Sequence, residues 1–176
     1  MNERNAPPHI LVAGIPASGK TSYSAWLERE QGFLHLDLDE LEKGNGTEKN
    51  LDLRDCLRHS GERFLRVVSE VPQPIVLDWG FPPTLLTLAD CLNQNGFAIW
   101  WFDGDRQVAR ESFIRRATVP IDAFDIQMKS IVEYWQRIQN VFDENLIYTV
   151  SEGPNYATPE YIYSRMFSKR RPRTHG

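Results

Sequence analysis

Eight residues limit what this chain can fold into more than any other stretch: Gly14-Ile15-Pro16-Ala17-Ser18-Gly19-Lys20-Thr21 satisfies G-x-x-x-x-G-K-[ST] at every fixed position. An apolar, strand-like run, Ile10 to Ala13, leads into it, and a helix-like run, Thr21 to Glu30, leads away. Glycines allow the backbone to curl so that successive N–H groups point into one concavity. The helix that follows adds its unpaired N-terminal donors and positive dipole end. The product is a cradle for phosphate. Gly14, Ala17, Ser18, Gly19, Lys20, Thr21 and Ser22 are its expected nucleotide-binding residues. Lys20 should reach the β- and γ-phosphates, and the Thr21 hydroxyl should be a ligand of the accompanying Mg²⁺.

The rest of the chain fits a single domain over 1–176, long enough to bury a core without disulfides or a structural metal. Its 41% hydrophobic and 25% charged residues are ordinary for a globular protein. A net charge of −4 argues against a nucleic-acid or anionic-membrane partner for the surface as a whole. The basic tail, 168–176, reads as a solvated end. The two cysteines, Cys56 and Cys91, fall inside helix-like patterns and read as buried thiols in a reducing compartment. Met1 to Pro8 is polar, with no apolar core of a leader, and no later run has the length of a membrane span. A cytoplasmic location is expected.

Strands and helices alternate along the chain. Expected strands are His9 to Ala13, a second beginning at Phe33, Pro74 to Asp78, Phe97 to Phe102, and Leu146 to Val150. Gly32 is placed to cap the first helix. Further helices follow Leu53, Leu57, Phe64 and Val68, then Leu85 to Leu92, then an arginine-dense stretch from Arg106 to Arg116. Phe124, Met128, Ile131, Trp135, Ile138 and Phe142 predict one long, heavily packed helix, and Pro159 to Met166 a closing one. Such alternation implies a parallel sheet covered on both faces.

Ligands of open α/β sheets bind beyond the carboxyl ends of the strands. The second strand runs into Asp37 and Asp39, and the third ends at Asp78, so these carboxylates share an edge with the glycine loop. Asp78 has the form of an aspartate that serves Mg²⁺, and Asp37 is a second candidate metal ligand. His35 precedes the strand end and reads as a packed strand residue. The segment about 40–72 is a natural acceptor-binding flap, in which Arg54, Arg58 and Arg63 can hold an anion or simply face water. No N/T-K-x-D guanine motif occurs, and Asp78 is followed by Trp79 where ATPase motors carry a water-activating glutamate. Phosphoryl transfer needs a carboxylate near the acceptor, Mg²⁺ on the phosphates and cations over the transferring group. Asp39 or Asp37, Thr21 with Asp78, and Lys20 with the arginines after the fourth strand supply each in turn.

With GIPASGKT at Gly14 to Thr21, LDLDELEKG at Leu36 to Gly44, IVLDWGF at Ile75 to Phe81 and the Arg110 to Arg116 segment, the chain resembles the small P-loop kinases of the shikimate kinase, gluconate kinase and polynucleotide kinase group. The resemblance covers nearly its whole length. It implies a P-loop NTPase three-layer sandwich with a five-stranded parallel sheet of order 2-3-1-4-5, and a lid, about 106–123, whose arginines close over ATP. It also implies that Asp39 is the catalytic or substrate-orienting aspartate, that Arg110 stacks near adenine, and that Arg115 or Arg116 reaches the phosphates. Two departures are informative. Asp78-Trp79-Gly80-Phe81 stands where shikimate kinases carry a glycine-rich, acceptor-holding segment. Glu42 stands where polynucleotide kinase-like members commonly carry an arginine. The expected activity is therefore an ATP- and Mg²⁺-dependent transfer of phosphate to a hydroxyl of a small molecule. A kinase of a nucleic-acid end or other macromolecular acceptor and a non-catalytic ATP-binding regulatory module are the alternatives.

Overall fold

The apolar runs of the sequence become the strands of one sheet in a computed structural model of the chain. The structure describes residues 7–38, 61–80, 82–116, 120–151 and 156–168. In chain order these contain β1 (Ile10–Gly14), α1 (Lys20–Gln31), β2 (Leu34–Asp37), α2 (Gly61–Ser69), β3 (Ile75–Asp78), α3 (Leu86–Gln94), β4 (Ala98–Gly104), α4 (Arg106–Arg116), α5 (Ile121–Glu133), α6 (Trp135–Phe142), β5 (Leu146–Val150) and α7 (Pro159–Ser168). A short 3₁₀ turn, Pro83–Leu85, precedes α3, and another, Asp143–Asn145, precedes β5. The five strands run parallel in the order β2-β3-β1-β4-β5. That is the order implied by the resemblance.

Side chains of successive strand residues point to opposite faces, and the two cores follow this rule. Ile10 and Val12 of β1, Val76 of β3, and Trp100 and Phe102 of β4 pack on one face with Tyr23 and Leu27 of α1 and Ile162 and Met166 of α7. Their neighbours Leu11, Ala13, Ile75, Leu77, Ile99 and Trp101 pack on the other, against α2, α3, α5 and α6. β1, at the centre, is buried throughout, which is why it reads as an unbroken apolar run. On the first face the Tyr23 hydroxyl donates to Met166 Sδ at 3.2 Å, joining α1 to α7. Gly32 caps α1 in the left-handed conformation, φ 72°, as expected.

The long helix predicted from Phe124 to Phe142 is two helices that meet at Tyr134. There φ is −96° and ψ 6°, and the Tyr134 carbonyl accepts from both Arg137 and Ile138, at 2.9 and 3.0 Å. Phe124, Ile131 and Ile138 recur every seven residues. A straight helix drifts about 20° per seven residues, so a tightened turn restores the stripe to the core. Phe124, Ile131, Ile138 and Phe142 are buried, whereas Met128 and Trp135 are only partly so. Cys91 is likewise half-buried, not the fully buried thiol expected, because it lies at the edge of the apolar side of α3. Cys56, Arg54, Arg58, the side chain of Arg63, most of the expected flap and the tail beyond Ser168 lie outside the described residues.

Candidate active site

β1 ends in the glycine loop, and the loop is fixed from three sides. Gly14 has φ 147°, and a Cβ there would collide with the carbonyl oxygen of Phe102 on β4. Only glycine permits this approach. The Ile15 N–H donates to that same carbonyl at 3.0 Å. Ala17 takes a left-handed φ of 57°, unusual for a side chain with a Cβ. Side chains from the far end of the sheet hold the next two carbonyls: the Tyr156 hydroxyl donates to Ala17 O at 2.9 Å, and Thr149 Oγ1 to Ser18 O at 2.8 Å. Within the loop, Ser18 Oγ donates to Ile15 O at 2.8 Å.

α1 begins with left-handed Gly19 at its N-cap, without a side-chain cap and with no acidic residue in its first turn. Its positive end is therefore not neutralised locally by a carboxylate of its own. Lys20 opens this helix, where its charge opposes the dipole. The ammonium turns back and donates to the carbonyls of Ile15 and Gly14, at 2.9 and 3.4 Å, and the residue is 8% exposed. Thr21 and Ser22, in the first turn of the helix, are exposed. A local arrangement this unfavourable for a helix start is expected where an anion is to be held.

Asp37 and Asp78 end neighbouring strands and are paired in register. His35, two residues before Asp37 and on the same face, places Nε2 at 3.5 Å from Asp78 Oδ2. It is therefore part of the acidic cluster and not merely packed; the i, i+2 spacing to Asp37 was the signal available in the sequence. Burial opposes charge on His35, but the carboxylates of Asp78, Asp37 and Glu28 outweigh it and raise its pKa above 6.5. Asp39 lies outside the described residues, one position beyond Leu38.

The arginines of α4 divide. Arg115 and Arg116 join Ser18, Gly19, Ser22 and Tyr156 around a cavity of about 430 Å³ beside the loop, within the range of small-molecule sites. Arg115 Nη2 donates to Ser112 Oγ at 3.2 Å. Arg110 does not line this cavity and meets Asp125 of α5 at 3.4 Å. Arg106 lies over the Trp135 ring, 5.7 Å from its centroid. Thr149 and Tyr156 escaped sequence reasoning, since nothing in the chain order says that the end of β5 reaches the glycine loop. Only the strand order brings them there.

No protein-family model matches the sequence, and no curated protein sequence matches it. Solved structures do. A gluconokinase from Sinorhizobium meliloti 1021 is 17% identical with a TM-score of 0.54, over 93% of this chain and 91% of that one. Shikimate kinase from Acinetobacter baumannii, in complex with shikimate, is 16% identical with a TM-score of 0.59, over 93% and 94%. Shikimate kinase from Bacteroides thetaiotaomicron is 16% identical with a TM-score of 0.52, over 90% and 93%. Sheet order, glycine loop and near-complete mutual coverage agree: the chain has the fold shared by these small-molecule P-loop kinases.

Proposed function

We propose that the chain is an ATP- and Mg²⁺-dependent phosphotransferase that acts on a hydroxyl of a small molecule. One observation carries this reading: the glycine loop with Lys20 lies at the same sheet edge as the paired strand-end carboxylates Asp37 and Asp78. The residues suit the group they would hold. Gly14 to Ser22 offer a helix N-terminus to phosphate, while Thr21, Asp37 and Asp78 offer hard oxygen donors. Asp78 Oδ2 is buried without a hydrogen-bond partner. When bound, Mg²⁺–ATP supplies the phosphoryl group and partial neutralisation of its charge.

Lys20 would exchange its contacts with two backbone carbonyls for phosphate oxygens, a change from neutral to charged acceptors. Arg115 and Arg116, on the wall of the adjoining cavity, would bring positive charge to the oxygens on which charge grows. Arg110 would have to leave Asp125 to stack on adenine. Asp39 is the proposed base: it would accept the proton of the attacking hydroxyl, and Asp37, two residues earlier in sequence, is the alternative. The similar solved structures, a gluconokinase and a shikimate kinase, favour small hydroxylated acceptors. Asp78-Trp79-Gly80, with Gly80 O accepting from Gln127 of α5 at 2.9 Å, favours an acceptor other than shikimate.

The test is incubation with γ-labelled ATP and a panel of sugars, polyols, hydroxy acids and hydroxylated drugs. Label is expected on one class of small acceptor. Lys20→Ala and Asp39→Asn should each lower transfer by about 10²–10⁴-fold. Label only on oligonucleotide ends, or ATP binding without transfer to any acceptor, would refute the reading.

A further inference from the structure

His35, Asp37 and Asp78 form a cluster of which phosphoryl transfer, as argued above, uses only the carboxylates. Alternation along β2 gives His35 and Asp37 one face, and the parallel register sets Asp37 beside Asp78. One ligand atom from each of the three residues lies within 4.8 Å of the others. The spacing between His35 and Asp78 is instructive. A charge-assisted hydrogen bond between a ring nitrogen and a carboxylate contracts to about 2.7–2.9 Å. Here Nε2 and Oδ2 stand 3.5 Å apart, and neither atom has a hydrogen-bond partner. The Asp78 side chain is only 2% exposed, so water does not satisfy that oxygen from bulk. Two donors bound to one cation at about 2.0–2.2 Å stand about 3–4 Å from each other. The observed separation falls in that interval.

We propose that His35 is a nitrogen ligand of the cation held by Asp37 and Asp78, so that this site takes Mn²⁺ or Co²⁺ in preference to Mg²⁺. The inference rests on the reading of Asp37 and Asp78 as cation ligands. Mg²⁺ prefers an all-oxygen octahedron and keeps its waters, whereas imidazole suits later divalent ions, whose affinities for mixed sites rise along the first transition row. A histidine two residues before an acidic strand end therefore changes which metal fits, without changing the fold.

Titration of the intact chain with Mn²⁺ alone and Co²⁺ alone, with Mg²⁺ as competitor, tests the proposal. Mn²⁺ is expected to bind about tenfold or more tightly than Mg²⁺. That ratio should fall toward one in His35→Gln, and the visible spectrum of the Co²⁺ form should shift in the same variant. Imidazole resonances of the unaltered protein give a readout that needs no variant: Mn²⁺ should broaden those of His35 well before those of His9. Unperturbed His35 resonances at saturating Mn²⁺, or a Mn²⁺-to-Mg²⁺ ratio in His35→Gln unchanged from that of the parent, would overturn the proposal in favour of a plain His–Asp pair. Phosphoryl transfer without any His35-dependent metal preference would overturn this inference alone. A His35-dependent metal site with no transfer to any acceptor would overturn the functional reading alone.

Discussion

Asp103, next to last in β4, is a carboxylate in a place that penalises charge. It is 3% exposed, and burial raises its pKa above 3.8 despite the Gly104 N–H, which donates to Oδ1 at 2.8 Å, and the nearby Arg106. A raised native pKa means that the folded chain binds the proton more tightly than the unfolded chain does. Stability from this group is therefore complete below pH 3.8 and is lost as pH rises through the native value. Asp103→Asn keeps an acceptor for Gly104 and carries no charge. Thermal melts at pH 7 should show the variant to be more stable than the parent, with the difference shrinking in acid. An Asn variant that melts lower at pH 7 would mean that Asp103 earns its place through a contact that needs the charge. His35 makes a different point at this scale: a residue that looks like packing in one dimension becomes a member of a charged cluster once its neighbouring strand is in place.

At the scale of elements, strands were legible to within a residue or two because buried parallel strands are continuous apolar runs bounded by turn residues. β5 falls on Leu146–Val150, as expected. The α5–α6 break was not legible, because a seven-residue stripe looks the same in a straight helix and in one re-aimed at Tyr134. The glycine loop was fully legible, yet its anchorage was not. Thr149, 1% exposed, donates across β4 to Ser18 O at 2.8 Å and approaches Asp103 O at 3.3 Å. Thr149→Val preserves shape and removes the donor, which should cost about 1–3 kcal/mol in urea unfolding and weaken nucleotide binding measured by calorimetry. Unchanged stability would show that the loop keeps its form without β5. At the start of β1, His9 Nδ1 accepts from the Ile75 N–H at 3.0 Å, and burial lowers its pKa below 6.5. This contact exists only while Nδ1 is unprotonated. Its contribution is present above pH 6.5 and is lost as pH falls through the native value. His9→Asn, which offers an oxygen that does not titrate, should flatten the decline in melting temperature below pH 6.5.

For the whole molecule, the order β2-β3-β1-β4-β5 does most to build the site. It places the acidic strand ends on one side of the glycine loop, and Thr149 with the cavity of Arg115 and Arg116 on the other. Alternation of elements predicted a covered parallel sheet, but the order itself came from resemblance, since local pattern does not encode which strands become neighbours. No helix among the described residues is long and apolar enough to cross a membrane. The bond from Tyr23 to Met166 has a consequence for motion. It fastens α1, the helix that follows the glycine loop, to α7, more than a hundred residues later in sequence, through a contact buried at both ends. The two helices should then open as one cooperative unit, with matching amide hydrogen-exchange rates in their central turns. A ligand that quiets one would slow exchange in the other.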